Sequence, residues 1–469
     1  MEKDKAMRVE RDTMGEVEIP SDALWGSNTE RARQNLPISN RLMPEALLKA
    51  LARIKACYAK AAGENNYLAD NIANVIETKA LEVADGQHSK HFPLDVFQTG
   101  SGTSSNMNVN EVVANLANIS LGSMAGDYKP VHPNDHVNFG QSSNDTIPAA
   151  LNLAALDVME NKLLPELGLL IEAWQKKADE YKEVVKTGRT HLQDALPITF
   201  GHVFGAYVGV LKRLQTSLTQ TPDLLSELPL GGTAVGTGFQ APEELPPIVA
   251  KHLSNLLDRS ITACEEPLVF MSGRPVVTDV MGRVAALATE MQRIANDVRM
   301  MASGPRLGYG ELTIPSLQPG SSIMPGKVNP IVCESVVQTA MAICGNHATV
   351  LAAAAGGQFE LNVTLPVTAD ALIGSIETLS QACFVFRTRV VEGLVVNVED
   401  VGRDLNKGLA LATSLISKIG YAEAAKVAYK AHNDGTNVSE AAVEMGILQE
   451  DEVDKWLDPT KLTKKGRLS

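Results

Sequence analysis

Aromatic residues are scarce: Phe, Trp and Tyr make up 4% of 469 residues. Such a chain has few rings on which nucleobases could stack, and its core must rest on Ala, Val, Leu, Ile and Met. Cysteine is scarce too. Cys57, Cys264, Cys333, Cys344 and Cys383 are odd in number and form no C-x-x-C pair. Neither a zinc site nor a disulfide framework is expected, and a reducing compartment is. Positive charge is in deficit, with 42 Lys and Arg against 55 Asp and Glu, a net charge of -13. That balance disfavours nucleic acid as a partner, although a local cationic site can still take an anionic substrate. No apolar run is expected to reach the length of a membrane span. The opening MEKDKAMRVERD has no apolar core of a signal peptide and carries too many carboxylates for a transit peptide. The expectation is a cytoplasmic protein without nucleic-acid or membrane partners.

What the chain does have is helical periodicity. The length suggests two to four domains. Leu156, Met159, Leu163, Leu167, Leu170, Trp174, Ala178 and Tyr181 follow one another at steps of three or four, one face of a helix. Val280, Val284, Leu287, Met291, Ile294, Val298 and Met301 alternate steps of four and three, a heptad pattern. Val337, Met341, Cys344, Ala348 and Leu351 make a third stripe. The fold class is therefore mainly α, with a bundle of long helices. Three blocks are expected: a mixed N-terminal domain over 1–139, a central long-helix bundle over 140–393, and a small helical C-terminal domain over 394–469.

Four polar islands interrupt these helices: QTGSGTSSNMNVN from Gln98, HPNDHVNFGQSSND from His132, TGRTHLQD from Thr187, and GSSIMPGKVNP from Gly320, which Glu334 follows. Ser, Thr, Asn and Gly cap helices and make turns, and part of each island does that. In QSSNDTIP, Ser143, Asn144 or Asp145 is expected to cap a helix with Pro148 in its first turn. A helix start rich in hydroxyls and free amides is also an anion site. Two such starts and a lysine loop suit a small polycarboxylate. Neither a phosphate-binding glycine loop nor the paired-histidine spacing of a metal site is present. His191 and His132, each taken alone, read more readily as structural hydrogen-bonders than as catalysts.

Taken together, the islands resemble the fumarase/aspartase superfamily, and class II fumarases within it. GSSIMPGKVNP is similar to the superfamily signature. ERDTMGEVEIPSDALWGSNTERARQNLPIS, TGSGTSSNMNVNEVVAN, HPNDHVN, QSSND, GRTHLQDA, GGTAVGTG, SGPR, QFELNV and IGYAEAAKVAYKAHNDG follow in family order along nearly the whole chain. The resemblance implies a three-domain, mainly α fold whose central helices assemble as a homotetramer, with active sites drawn from three subunits. It implies reversible hydration of fumarate to L-malate in the tricarboxylic acid cycle, through an aci-carboxylate, with no metal or organic cofactor. Ser321 matches the base, and His191 and Glu334 a paired proton-transfer group. Lys327 and Asn329 match a carboxylate clamp, and Ser101, Thr103, Ser142, Ser143, Asn144 and Thr190 match substrate-binding positions. His132, Asn134 and Asp135 match a secondary dicarboxylate site. There Lys129 replaces the usual Arg and loses its bidentate fork. Phe139-Gly140 and Leu116 are further departures, beside the site. The competing readings are aspartate ammonia-lyase or another superfamily lyase, and a non-catalytic helical assembly. His191, where aspartases resemble Gln, and Gly326, where they tend to Ala, favour the hydratase.

Overall fold

The computed structural model describes residues 6–403 and 405–466. Most of the chain is helix, and the strands form only two-stranded sheets. Two compact units divide it. The first comprises Met1–Pro165, Thr216–Thr289 and Thr339–Gln381; the second comprises Glu166–Gln215, Glu290–Gln338 and Ala382–Ser469. The boundaries fall within the long helices Leu164–Glu180, Phe200–Leu218, Pro275–Met301, Ile331–Ala355 and Leu365–Phe386, which contribute residues to both.

The first unit opens with an antiparallel hairpin, Met7–Asp12 with Gly15–Pro20. Its centre is the helix Glu45–Glu64, which packs against Asp70–Ala84, Ser143–Val158, Leu245–Leu257 and Thr103–Ser120. Alanines at Ala50, Ala52, Ala56, Ala59, Ala61 and Ala62 are all buried and let these neighbours approach closely. One buried position on this helix is a lysine, Lys55. The second unit holds the hairpin Val185–Thr190 with Gln193–Thr199. It also gathers scarce aromatics around Trp174, with Phe204 and Tyr207 each at a ring-centroid distance of 5.2 Å. Toward the chain end Leu415, Val427, Ala431, Val438, Ala441 and Trp456 form a separate small core.

The first two apolar series lie inside. Every member from Leu156 to Tyr181 and from Val280 to Met301 is buried. The first series does not belong to one uniform helix: a widened π turn, Met159–Leu163, joins Ser143–Val158 to Leu164–Glu180. It lies just before Pro165, whose ring and missing donor break the regular ladder.

The third stripe behaves differently. Val337 is buried, but Met341 is 58% and Leu351 48% exposed, and Cys344 and Ala348 are exposed with them. The helix Ile331–Ala355 buries another face, through Val332, Val336, Ala340, Ile343, Val350 and Ala353. It is apolar on two sides, and by length and composition could cross a membrane, with 33% of its most apolar window buried. The sequence contains no uninterrupted apolar run of that size because Glu334, Gln338, Asn346 and His347 punctuate the helix.

Candidate active site

In the first unit two helix starts meet. Gly102, at φ +74, turns the chain into the helix Thr103–Ser120, and a Cβ on it would lie 2.9 Å from Ile147. Ile147 belongs to the helix Ser143–Val158, so the glycine lets the two N-termini come together. Ser101 Oγ and Thr103 Oγ1 are 2.7 Å apart, and Thr103 Oγ1 is 2.7 Å from Ser143 Oγ. A row of three hydroxyls thus spans both helix starts, where free amides and the helix dipoles favour an anion.

The second helix start is capped one residue earlier than the sequence suggests. Ser142 is the cap: its Oγ accepts from the Asn144 amide at 3.2 Å, while its own amide donates to Asp145 Oδ1 at 3.0 Å. This reciprocal box also moves Pro148 out of the first turn and into the helix body. Capping by Ser142 leaves the Ser143 hydroxyl for Thr103, and the Asn144 amide group donates to the Ala234 carbonyl at 2.9 Å. Burial pushes the Asp145 carboxyl up to about 7, against the lowering effect of the Thr233 and Ser142 amides and of Lys55.

Thr190 and His191 lie in the second unit, on the tip of its hairpin. Thr190 ends one strand, and His191 and Leu192 make the two-residue turn with φ of +55 and +60. Two side-chain-bearing residues in the left-handed region store strain. The strand below is anchored: Glu311, 5% exposed, pairs with Lys186 at 2.9 Å and with Arg189 at 2.6 Å. Arg189 also stacks over the Tyr309 ring at 4.3 Å.

The loop 320–330, also in this unit, is a closed turn of backbone. The Gly320 amide donates to the Lys327 carbonyl at 2.8 Å, and Asn329 Nδ2 donates to the Gly320 carbonyl at 2.7 Å. A Cβ on Gly320 would lie 2.5 Å from the Lys327 carbonyl oxygen, so this closure requires glycine. Within it Ser321 Oγ accepts from the amides of Ile323 at 3.2 Å and Met324 at 3.0 Å. Lys327 Nζ reaches Asn329 Oδ1 at 2.7 Å. Glu334 stands half-buried in the first turn of Ile331–Ala355. No hydrogen bond joins it to His191 within the chain, among the described residues. The selected residues therefore form separate groups: the hydroxyl row with Ser142 and Asn144, the hairpin tip, the lysine loop, and Glu334.

The secondary group lies in the first unit. His132 caps the turn Pro133–Val137, its Nδ1 accepting from the amides of Asn134 at 3.2 Å and Asp135 at 3.3 Å. His132 and Asn134 line a cleft of about 960 Å³ with Arg11, Asn28 and Arg31. Lys129 is exposed on the segment before it. Sequence reasoning passed over Arg11 and Arg31, which sit in ordinary charged stretches and carry no motif. It also passed over Lys55, whose one visible signal is a charge on the apolar side of LLKALARIKACY.

A family model described as lyase matches residues 15–345, and one described as fumarase C C-terminus matches residues 411–464. Class II fumarate hydratase 2 of Bradyrhizobium diazoefficiens is 42% identical over 461 residues, covering 98% of this chain and 98% of the relative. The class II fumarate hydratase of Xylella fastidiosa is 43% identical over 459 residues, covering 98% and 96%. Among solved structures, recombinant class II fumarase from Schistosoma mansoni superposes with a TM-score of 0.95 at 35% identity, covering 98% of this chain and 99% of that one. With its two converging helix starts, its hairpin histidine and its lysine loop, the chain belongs to the class II fumarate hydratase family of lyases.

Proposed function

We propose that, on assembly, the hydroxyl row of one subunit and the lysine loop of another hold a dicarboxylate while Ser321 moves a carbon-bound proton. The chain is a class II fumarate hydratase, a hydro-lyase that adds water to fumarate to give L-malate and reverses the reaction. In the malate direction a proton leaves the carbon beside a carboxylate. The resulting carbanion survives when that carboxylate takes the charge as an aci-carboxylate, with two full negative charges. Lys327, Asn329 and the loop amides supply the donors; losing one such donor typically costs about 2.7–4 kcal/mol of transition-state stabilisation.

The observation that carries this reading is Ser321 Oγ receiving two backbone amides in the loop that bears Lys327. A serine hydroxyl is hardly ionised at neutral pH, and two inward amides favour its alkoxide. His191, oriented by Glu334, then passes a proton to or from the departing water. Glu334 reaches a His191 of another subunit, because three subunits contribute segments to each site of a homotetramer. The exposed apolar stripe Met341, Cys344, Ala348 and Leu351 supports this assembly, since an apolar helix face on a single chain calls for a partner. The expected division at 139/140 and 393/394 and a cytoplasmic location belong to the same proposal. Lys129, His132, Asn134 and Asp135 form its peripheral dicarboxylate site. No cofactor enters the reaction.

The test is ultraviolet absorbance of the purified, chelator-treated protein, with L-malate in one cuvette and L-aspartate in another. Both routes create the conjugated double bond of fumarate. A rise with malate alone is expected; a rise with aspartate alone would make the chain an ammonia-lyase.

A further inference from the structure

Lys55 is a buried cation that the mechanism does not use. Lys55 is fully buried in the middle of the helix Glu45–Glu64. Burial brings its ammonium down to about 7, with the Asp145 carboxylate opposing the shift. A buried ammonium survives where acceptors face it. Here the acceptor is Asn138 Oδ1 at 2.8 Å. The same oxygen also takes Asn106 Nδ2 and Asn110 Nδ2, each at 3.1 Å. Three donors on one amide oxygen fix the Asn138 side chain, and its Nδ2 donates to the Gln141 carbonyl at 3.1 Å.

That bond closes the turn 138–141, which contains Gly140 at φ +68 and leads straight into the cap Ser142. Asn106 and Asn110 stand on the helix Thr103–Ser120, so the same oxygen ties together the two helix starts that carry Ser101, Thr103 and Ser143. Asp145 completes the arrangement. It holds the Ser142 amide, accepts from the Thr233 amide at 2.8 Å, and feels the charge of Lys55. Around this cluster, Asn110 Oδ1, Gln141 Oε1, Tyr58 Oη and Thr233 Oγ1 are buried without a hydrogen-bond partner.

We infer that Lys55 is a positioning residue for substrate: through Asn138 it sets the turn that presents Ser142, Ser143 and Asn144 to the dicarboxylate. It touches no reacting atom. The inference rests on substrate binding at those three residues, as proposed above.

The experiment compares Lys55→Met and Lys55→Gln by steady-state kinetics in both directions, with tetramer content and Tm measured alongside. Lys55→Met is expected to raise KM for fumarate and for L-malate about ten-fold, with kcat changed less than about three-fold. Lys55→Gln keeps one donor for Asn138 and is expected to fall between that variant and the parent. Asn138→Leu alone is expected to raise KM at least as much as Lys55→Met, because it also removes the Nδ2 bond that closes the turn, and the double variant is expected to stay within about two-fold of Asn138→Leu. A folded Lys55→Met enzyme with parental KM and only a lower Tm overturns the inference, as does a multiplicative KM in the double variant. If Lys55→Met gives no folded protein, Lys55→Gln decides: parental KM refutes the role. Asn144→Ala separates the two readings. If it leaves KM unchanged, the binding assignment itself fails; if it raises KM and the Lys55 variants do not, only the role of Lys55 fails.

Discussion

The Thr103 hydroxyl is hydrogen-bonded to the Ser143 hydroxyl at 2.7 Å. Forty positions separate the two residues, and each stands in the first turn of its own helix. Thr103 is the middle member of the row, so Thr103→Val removes both hydroxyl contacts at nearly constant volume. Loss of the one hydroxyl that Thr103 would offer the dicarboxylate, about 1 kcal/mol, predicts a KM for L-malate raised about five-fold with the fold retained, while loss of the contacts to Ser101 and Ser143 lowers Tm. Steady-state kinetics on the purified variant checks this.

Ser321→Ala removes the acceptor of the Ile323 and Met324 amides together with the proposed base. The expected result is kcat lowered about 10²–10⁴-fold with KM within a few-fold, since proton transfer is lost and the clamp of Lys327 and Asn329 remains. Near-parental turnover would remove Ser321 from the mechanism.

His191→Asn tests catalysis apart from folding. Asn tolerates the left-handed region, so the turn at φ +55 keeps its shape. Activity is expected to fall about 10²-fold or more, with Tm shifted by no more than a few degrees. A parental rate would leave His191 as a turn residue.

Met341→Glu places a carboxylate in the exposed stripe of Ile331–Ala355, where the side chain is 58% exposed on the single chain. If that face is the assembly surface, sedimentation will show dissociation to smaller species. Activity will fall with it if, as proposed, each site draws on several subunits. An unchanged, active assembly would move the interface elsewhere.

Acid sensitivity has a definite source at Asp95. Burial raises its carboxyl, but the amides of Phe97, Ser39 and Asn40 and the Ser39 hydroxyl outweigh that and hold it at about 2, below the ordinary 3.8. A lowered carboxylate contributes stability that is present above the ordinary value and lost as pH falls through about 2. Thermal midpoints measured from pH 5 to 2 should fall, and Asp95→Asn should flatten that slope while lowering stability at pH 7.

The two buried apolar series were legible because a helix facing its own core repeats at steps of three and four. The stripe from Val337 to Leu351 has the same pattern yet lies outward in the single chain. Periodicity reports that a face is apolar and is silent on which chain covers it. The polar islands were legible as helix starts and turns through their hydroxyls and glycines. The exact cap was not: Ser142 rather than Ser143 follows from Asp145 reaching back to its amide, a choice made by side-chain geometry.

By itself the sequence determined the mainly helical class and two buried seams, because periodicity and local backbone preference act over a few positions, and its motifs in order carried the resemblance to the family and to the residue types its chemistry needs. Tertiary structure alone decided that Thr103 meets Ser143, that Ser321 receives two amides and that Glu311 anchors the hairpin below His191. It also decided that a lysine in an alanine-rich helix finds its acceptor on Asn138, far along the chain. Those contacts join segments distant in sequence. Burial raises the cost of an unpaired charge or hydroxyl, and that cost selects partners no local pattern records.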